Sequence, residues 1–158
     1  MRGKDKVIAH LNDALRAELL AINQYFLHAE MCENWGYHRL ADQTKKDALD
    51  EMKHAEVLIE RILFLDSAPK LGMGLPIKAG KNVQEQLEAD LALEIEAVAN
   101  YNAAMKVCVE EGDNASRELF QKLLLDEERH VDYLESQLHI IKEVGIENYL
   151  AQQIHEEK

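Results

Sequence analysis

Six side chains with metal-ligand chemistry occur as two copies of one pattern. Glu18 precedes Glu51-Met52-Lys53-His54 by 33 positions, and Glu94 precedes Glu127-Glu128-Arg129-His130 by the same 33, the two copies being offset by 76. The flanks repeat as well, Leu49-Asp50 before one Glu-x-x-His and Leu125-Asp126 before the other. Glu and His at i and i+3 share one face of a helix, so each copy offers two carboxylates and one imidazole to a common point. Four ionised carboxylates in an apolar interior repel one another, and removing each from water costs several kcal/mol. Two divalent cations bring the compensating charge, with neutral imidazole nitrogens completing the coordination. Oxygen-rich ligation with imidazole suits iron or manganese and argues against a soft thiolate site.

Such a set works only if four helices bring it to one level. Pro69, Gly72, Gly74, Pro76 and Gly80 crowd the stretch 66–81, while the flanking segments hold almost no breakers. Long helices are therefore predicted over 5–34, 38–65, 82–111 and 115–144, with turns at Asn34-Trp35-Gly36 and Gly112-Asp113-Asn114, and a short fifth helix over 146–156. A helix of this length spans ~42 Å at ~1.5 Å per residue. The 66–81 connection reaches up to ~53 Å when extended, enough to run the length of a bundle. Two antiparallel hairpins tied by that crossover follow, with the second and third helices parallel. The expected architecture is an all-α four-helix bundle with a long crossover between the second and third helices, in a single domain over 1–158. Residues 18, 51, 94 and 127 then lie near the middles of their helices. Inward-facing stripes contain them: Leu11, Leu15, Glu18, Ile22, Tyr25 and Ala29 on the first helix, and Phe120, Leu123, Glu127, His130, Leu134, Gln137 and Ile141 on the fourth. The third helix gives Val83, Leu87, Asp90, Glu94, Ala97, Tyr101 and Ala104. On the second, Leu40, Thr44, Asp47, Glu51, His54, Leu58 and Leu65 mix polar residues into the stripe.

Composition narrows the function classes. The 158-residue chain carries 30 acidic against 18 basic side chains, a formal charge of −12, which opposes binding to nucleic-acid phosphates and favours attraction of cations. No stretch has signal-peptide or membrane-span character, so a cytoplasmic location without membrane contact is expected. Cys32 and Cys108 are also 76 apart and would lie roughly 42 Å from each other, too far for a disulfide. No Cys-x-x-Cys pair is present, which removes a rubredoxin-like electron-transfer module.

The segments Glu18-Leu-Leu-Ala-Ile-Asn-Gln-Tyr-Phe-Leu-His-Ala, Asp50-Glu-Met-Lys-His-Ala, Glu60-Arg-Ile-Leu-Phe-Leu and Glu147-Asn-Tyr-Leu resemble bacterioferritins, and the similarity covers essentially the whole chain. A Glu from each of two helices with a Glu-x-x-His from each of the other two is the ligand set of ferritin-like di-iron and di-manganese proteins. The resemblance selects iron, and it implies ferroxidase activity toward Fe(II) with O2 or H2O2, a hollow 24-subunit shell built from dimers, and a ferric mineral within. By the pseudo-symmetry of the repeat, Glu18 with His54 and Glu94 with His130 are terminal ligands of two irons, bridged by Glu51 and Glu127. Tyr25 lies on the stripe of Glu18, where its hydroxyl can hydrogen-bond a ligating carboxylate or serve as a core aromatic; Tyr101 is its repeat mate.

Met52 follows a ligand directly and so turns about 100° away from the bundle centre. By spacing alone it is a surface or packing residue. The resemblance implies that Met52 and its copy across a two-fold axis ligate a haem b or related iron porphyrin between subunits, with Met31 as a pocket wall and a small ferredoxin as electron donor for iron release. Two positions depart from common family usage: Lys46 where many bacterioferritins have histidine, with Asp47 and Asp50 retained, and Tyr133 where tryptophan is frequent. Beside the ferroxidase reading stand a di-metal peroxidase or oxidoreductase without mineral storage, and a metal-free helical interaction module.

Overall fold

The computed structural model describes residues 1–72 and 76–155. Gly74 of the predicted connection and residue 156 of the predicted fifth helix lie outside that range. Five helices form in the order α1 (Asp5–Asn34), α2 (His38–Phe64), α3 (Val83–Glu110), α4 (Asn114–Val144) and α5 (Ile146–Ala151). Helices α1 and α2 pack as one hairpin and α3 and α4 as the other, while α1 against α3 and α2 against α4 close the bundle. Among the described residues no helix is long and apolar enough to cross a membrane.

The helix ends follow from local chemistry. The Asn82 side chain accepts from the Glu85 N–H at 2.9 Å, and Glu85 reaches back to the Lys81 N–H at 2.8 Å, satisfying orphan donors at the start of α3. Asp113 caps α4 through the Ser116 N–H at 3.0 Å and also takes Arg61 at 3.0 Å, tying the end of α2 to the start of α4. The short connections turn at Gly36 and Gly112, both with positive φ (89° and 73°), where a side chain would be strained. Helix α5 ends five residues before the predicted boundary. Gln152 and Gln153 donate to Tyr149 and Leu150 in tight i−3 bonds, and the Gln153 carbonyl is taken by the Arg39 N–H at 3.0 Å. That bond uses an acceptor that a continuing helix would need, and it anchors the C-terminal segment to the start of α2.

The crossover runs along α1, stitched to it by polar side chains. Lys70 N–H donates to Asn12 Oδ1 (2.9 Å), Lys78 N–H to Gln24 Oε1 (3.2 Å) and Gly80 N–H to His28 Nε2 (3.1 Å). Positions 12 to 28 are ~24 Å apart along a helix, so the connection climbs α1 as the parallel α2–α3 topology requires. All three side chains are buried, and each satisfies a backbone group that would otherwise be stranded. Gln24 Nε2 and His28 Nδ1 also face Asp90 on α3, at 2.9 and 3.0 Å.

The apolar core is divided. One cluster gathers Leu11, Leu15, Leu58, Ile62, Phe120 and Cys108 at one end, and another gathers Cys32, Leu40, Val83, Leu87, Leu134 and Ile141 at the other. Both thiols are free and buried, in separate clusters as their repeat positions require. Between these ends lies the polar level that holds Glu18, Glu51, Glu94 and Glu127.

Gly80 is the tightest point of the crossover. A Cβ there would lie 2.3 Å from the Gln86 backbone nitrogen and 2.7 Å from its Cα, and backbone cannot swing aside as a side-chain tip can. Gly80→Ala is expected to destabilise the fold by ~1–3 kcal/mol, the usual cost of overpacking. A thermal unfolding midpoint equal to the wild type would show that the crossover yields at this point.

Candidate metal centre

Each functional side chain arrives from a different helix at one height. Glu18 comes from α1, Glu51 and His54 from α2, Glu94 from α3, and Glu127 and His130 from α4. The four glutamates are at most 2% exposed. Their side-chain atoms fall into two overlapping groups, Glu18-Glu51-His54-Glu127 and Glu51-Glu94-Glu127-His130, each with ligand atoms within 4.8 Å of one another. Glu51 and Glu127 belong to both. His54 Nδ1 lies 2.8 Å from Glu127 Oε1 and 3.6 Å from Glu18 Oε2; His130 Nδ1 lies 2.9 Å from Glu51 Oε1 and 3.4 Å from Glu94 Oε1. The structure thus brings together all six residues that the repeat singled out.

Beyond these contacts with one another, the inward-facing atoms have no partner. Glu18 Oε2, both oxygens of Glu51, Glu94 Oε2, Glu127 Oε1 and the Nδ1 atoms of both histidines are buried without a hydrogen-bond partner. Buried polar atoms are ordinarily paired, and seven such atoms converging on one point form a donor set for an electrophile. Oxygen and imidazole donors on this scale fit a pair of divalent transition-metal ions.

The remaining polar atoms are engaged from outside the cluster. Tyr25 of α1 donates to Glu94 Oε1 on α3, and Tyr101 of α3 donates to Glu18 Oε1 on α1. The tyrosines cross: each serves the terminal carboxylate of the other repeat. Each leaves its glutamate with one committed oxygen and one orphan facing the centre. Burial, followed by nearby carboxylates, raises both phenols well above their ordinary pKa, which keeps them protonated as donors. On the far side of the imidazoles, His54 Nε2 meets Asp126 Oδ2 at 3.0 Å, and His130 Nε2 faces Asp50 Oδ2 at 3.6 Å. These two aspartates were visible in the sequence only as repeated flanks, and the signal that marks them is that they precede each Glu-x-x-His at the same offset. Asp47, near Asp50 and His130, has its pKa pushed up to about 6, chiefly by burial.

Electrostatics explain how the cluster tolerates itself without a metal. Burial favours neutral imidazole, but contact with Glu127 and Glu51 outweighs it, raising His54 to about 10 and His130 to about 11. Burial pushes Glu51 up, and the two histidines more than reverse that, holding it below its ordinary value. The two imidazoliums thus offset part of the carboxylate charge.

A cleft of about 490 Å³ between α1 and α3 reaches the site. Ala14, Ala17 and Ala21 of α1 face Ala97 and Ala104 of α3 along it, and Glu18, Glu94 and Glu127 line its depth. Small side chains keep this seam open, and exposed Asp13, Arg16 and Glu96 stand at its rim. Met52 points away from the centre as its position requires, and is 54% exposed on the outer face of α2.

Residues 8–144 match the family model for the ferritin-like domain. The chain is 46% identical over 149 residues to a bacterioferritin of Brucella melitensis, covering 94% of this chain and 92% of that protein. It is 46% identical over 155 residues to a bacterial ferritin of Synechocystis, covering 98% and 99%, and 43% identical over 152 residues to a bacterioferritin of Mycolicibacterium paratuberculosis, covering 96% of each.

Because both imidazoles are held protonated, a metal must displace a proton from each. Titrating the protein at pH 7 with a redox-silent divalent ion such as Zn(II) is expected to release about one proton per histidine, two for each pair of ions. Since His54 and His130 titrate at about 10 and 11, affinity should rise with pH throughout the neutral range. A pH-stat record without proton release would mean that the histidines are neutral before binding.

Proposed function

The chain belongs to the bacterioferritins of the ferritin family, and on that basis we propose that it stores iron by oxidising Fe(II) at the six-residue cluster and holding the ferric product as a mineral within a hollow 24-subunit shell. The observation that carries this reading is the set of seven buried, unpartnered ligand atoms converging between four helices. Fe(II) is the substrate, and a pair of these ions can pass two electrons together to one O2 or H2O2 without releasing a one-electron-reduced radical. With O2 throughout, four Fe(II), one O2 and four protons give four Fe(III) and two waters.

The protein's own residues supply position and charge. Glu51 and Glu127 bridge, because each belongs to both ligand groups. Glu18 with His54, and Glu94 with His130, complete the two ends. Tyr25 and Tyr101 hold the terminal carboxylates so that one oxygen of each stays aimed inward. The buried carboxylates at the end of the α1–α3 cleft attract Fe(II), and the cleft's small side chains give it a path to them.

Haem fits the outer face of α2. Met52 is an exposed thioether with exposed Leu49 one turn before it on α2, and an exposed apolar surface is suited to a covered group. Met52 Sδ and the same atom of a second copy would hold the haem iron. Thioether sulfur is an established axial ligand of haem iron. Bound haem supplies one-electron transfer, and a small ferredoxin is the donor that this reading assigns for reductive iron release.

Glu51→Ala or Glu127→Ala is expected to slow rapid Fe(II) oxidation by more than ~100-fold, beyond the 10–100-fold typical of losing an outer partner of a metal ligand, while the shell still assembles. Stopped-flow absorbance with size-exclusion chromatography measures both; oxidation at the wild-type rate would remove the bridging role. Met52→Leu conserves volume and usually costs under ~1.5 kcal/mol. That variant should purify without haem, oxidise Fe(II) normally, and release iron slowly when an electron donor is supplied. Retention of the wild-type haem absorption would show that Met52 is not the ligand.

A further inference from the structure

The two halves of the centre are repeats in sequence but unequal in their support. Asp126 Oδ2 lies 3.0 Å from His54 Nε2, within hydrogen-bonding distance, while Asp126 Oδ1 accepts from Arg129 at 2.7 Å. The carboxylate is therefore pinned at both oxygens. Its repeat mate Asp50 stands 3.6 Å from His130 Nε2, too far for a hydrogen bond. The difference traces to one substitution within the repeat: Arg129 occupies the position that Lys53 holds in the other copy. Arg129 reaches Asp126, whereas among the described residues no ion pair joins Lys53 to Asp50. A planar guanidinium can orient a carboxylate where a flexible ammonium does not.

We infer that Asp126, pinned by Arg129, is a positioning residue that makes the Glu18/His54 half of the centre the tighter metal position. This rests on the di-metal reading above. A hydrogen bond from Nε2–H to Asp126 keeps a proton on Nε2, so Nδ1 is the nitrogen that gives up its proton to an arriving metal. That Nδ1 is the atom buried among Glu18, Glu51 and Glu127. Carboxylate partners on the outer nitrogen of a ligating histidine also raise its basicity. His54 thus has its ring orientation set before a metal arrives, and the nitrogen that will face the metal is fixed with it. His130 Nδ1 faces an equivalent set of oxygens, Glu51, Glu94 and Glu127, without the same outer bond. Equal inner ligands with unequal outer support give unequal affinities, and the first ion should bind on the His54 side.

The test is anaerobic titration of the assembled protein with Co(II), followed by its visible ligand-field bands and by calorimetry, so that no iron oxidation is involved. The wild type should bind two ions in separable steps. Asp126→Ala should weaken the first step by ~10–100-fold, the usual effect of losing such a partner, and merge the two; Asp126→Asn, which keeps an acceptor, should restore part of the loss. Arg129→Ala should fall between Asp126→Ala and the wild type. Asp50→Ala should change neither step by more than a few-fold. The tight step should survive in Glu94→Ala and disappear in Glu18→Ala. Two equal steps in the wild type, an Asp126→Ala titration matching the wild type, or an Asp50→Ala loss as large as that of Asp126→Ala would each overturn the inference while leaving the di-metal reading intact. Failure of the wild type to bind any Co(II) pair would instead overturn the reading on which it rests.

Discussion

Four carboxylates at one level of a helical bundle must be neutralised, and the rest of this fold is arranged around that requirement. Each buried charge costs several kcal/mol unless paired, so the apolar core cannot run through the middle. Its two main clusters lie instead on either side of Glu18, Glu51, Glu94 and Glu127, with only the small group Ala21, Tyr25 and Ala48 besides. The apolar ends offset the polar centre, and their separation explains why the helices are long: a shorter bundle would have no room for a charged layer between two cores. His54 and His130, raised to about 10 and 11 by the carboxylates beside them, offset part of that charge.

Getting four midpoints to coincide is a problem of topology. Two short turns make two antiparallel hairpins, but the hairpins must be joined with α2 and α3 parallel, and only a connection spanning the bundle does that. Such a connection carries backbone donors over an apolar helix surface, where each needs an acceptor. Asn12, Gln24 and His28 provide them from α1. Gln24 and His28 also contact Asp90 on α3, so the residues that hold the crossover also help fix the α1–α3 seam along which the cleft runs to the centre.

How much of this was readable without coordinates depends on whether the determining contact lay within one helix or between helices. The inward stripes were legible because helical period alone places Leu11, Leu15 and Glu18, or Glu127 and Leu134, on one face; all of them are buried. The six cluster residues were legible because duplication repeats the same spacing. The crossover's stitches were not, since Gln24 and His28 read as ordinary polar residues on a helix until the connection is laid beside them. The end of α5 was missed for a similar reason: the Arg39 N–H that takes the Gln153 carbonyl belongs to α2. Tyr25 was placed on the right stripe, but its acceptor, Glu94, sits on another helix, and no periodicity within α1 encodes that choice.

The supporting contacts share one property that follows from the duplication. Tyr25 of the first repeat serves Glu94 of the second, and Tyr101 of the second serves Glu18 of the first. Asp126 of the second repeat holds His54 of the first, and Asp50 of the first faces His130 of the second. Neither hairpin therefore supports its own ligands. One hairpin alone would present a glutamate and a Glu-x-x-His whose carboxylate oxygens and imidazole tautomer were free to relax toward water or toward each other. Docking the second hairpin engages one oxygen of each terminal glutamate, and that engagement is what leaves the other aimed at the centre. Assembly of the two repeats and organisation of the ligand atoms are then one event, because the contacts that close the bundle at its midpoint are the same contacts that orient the cluster.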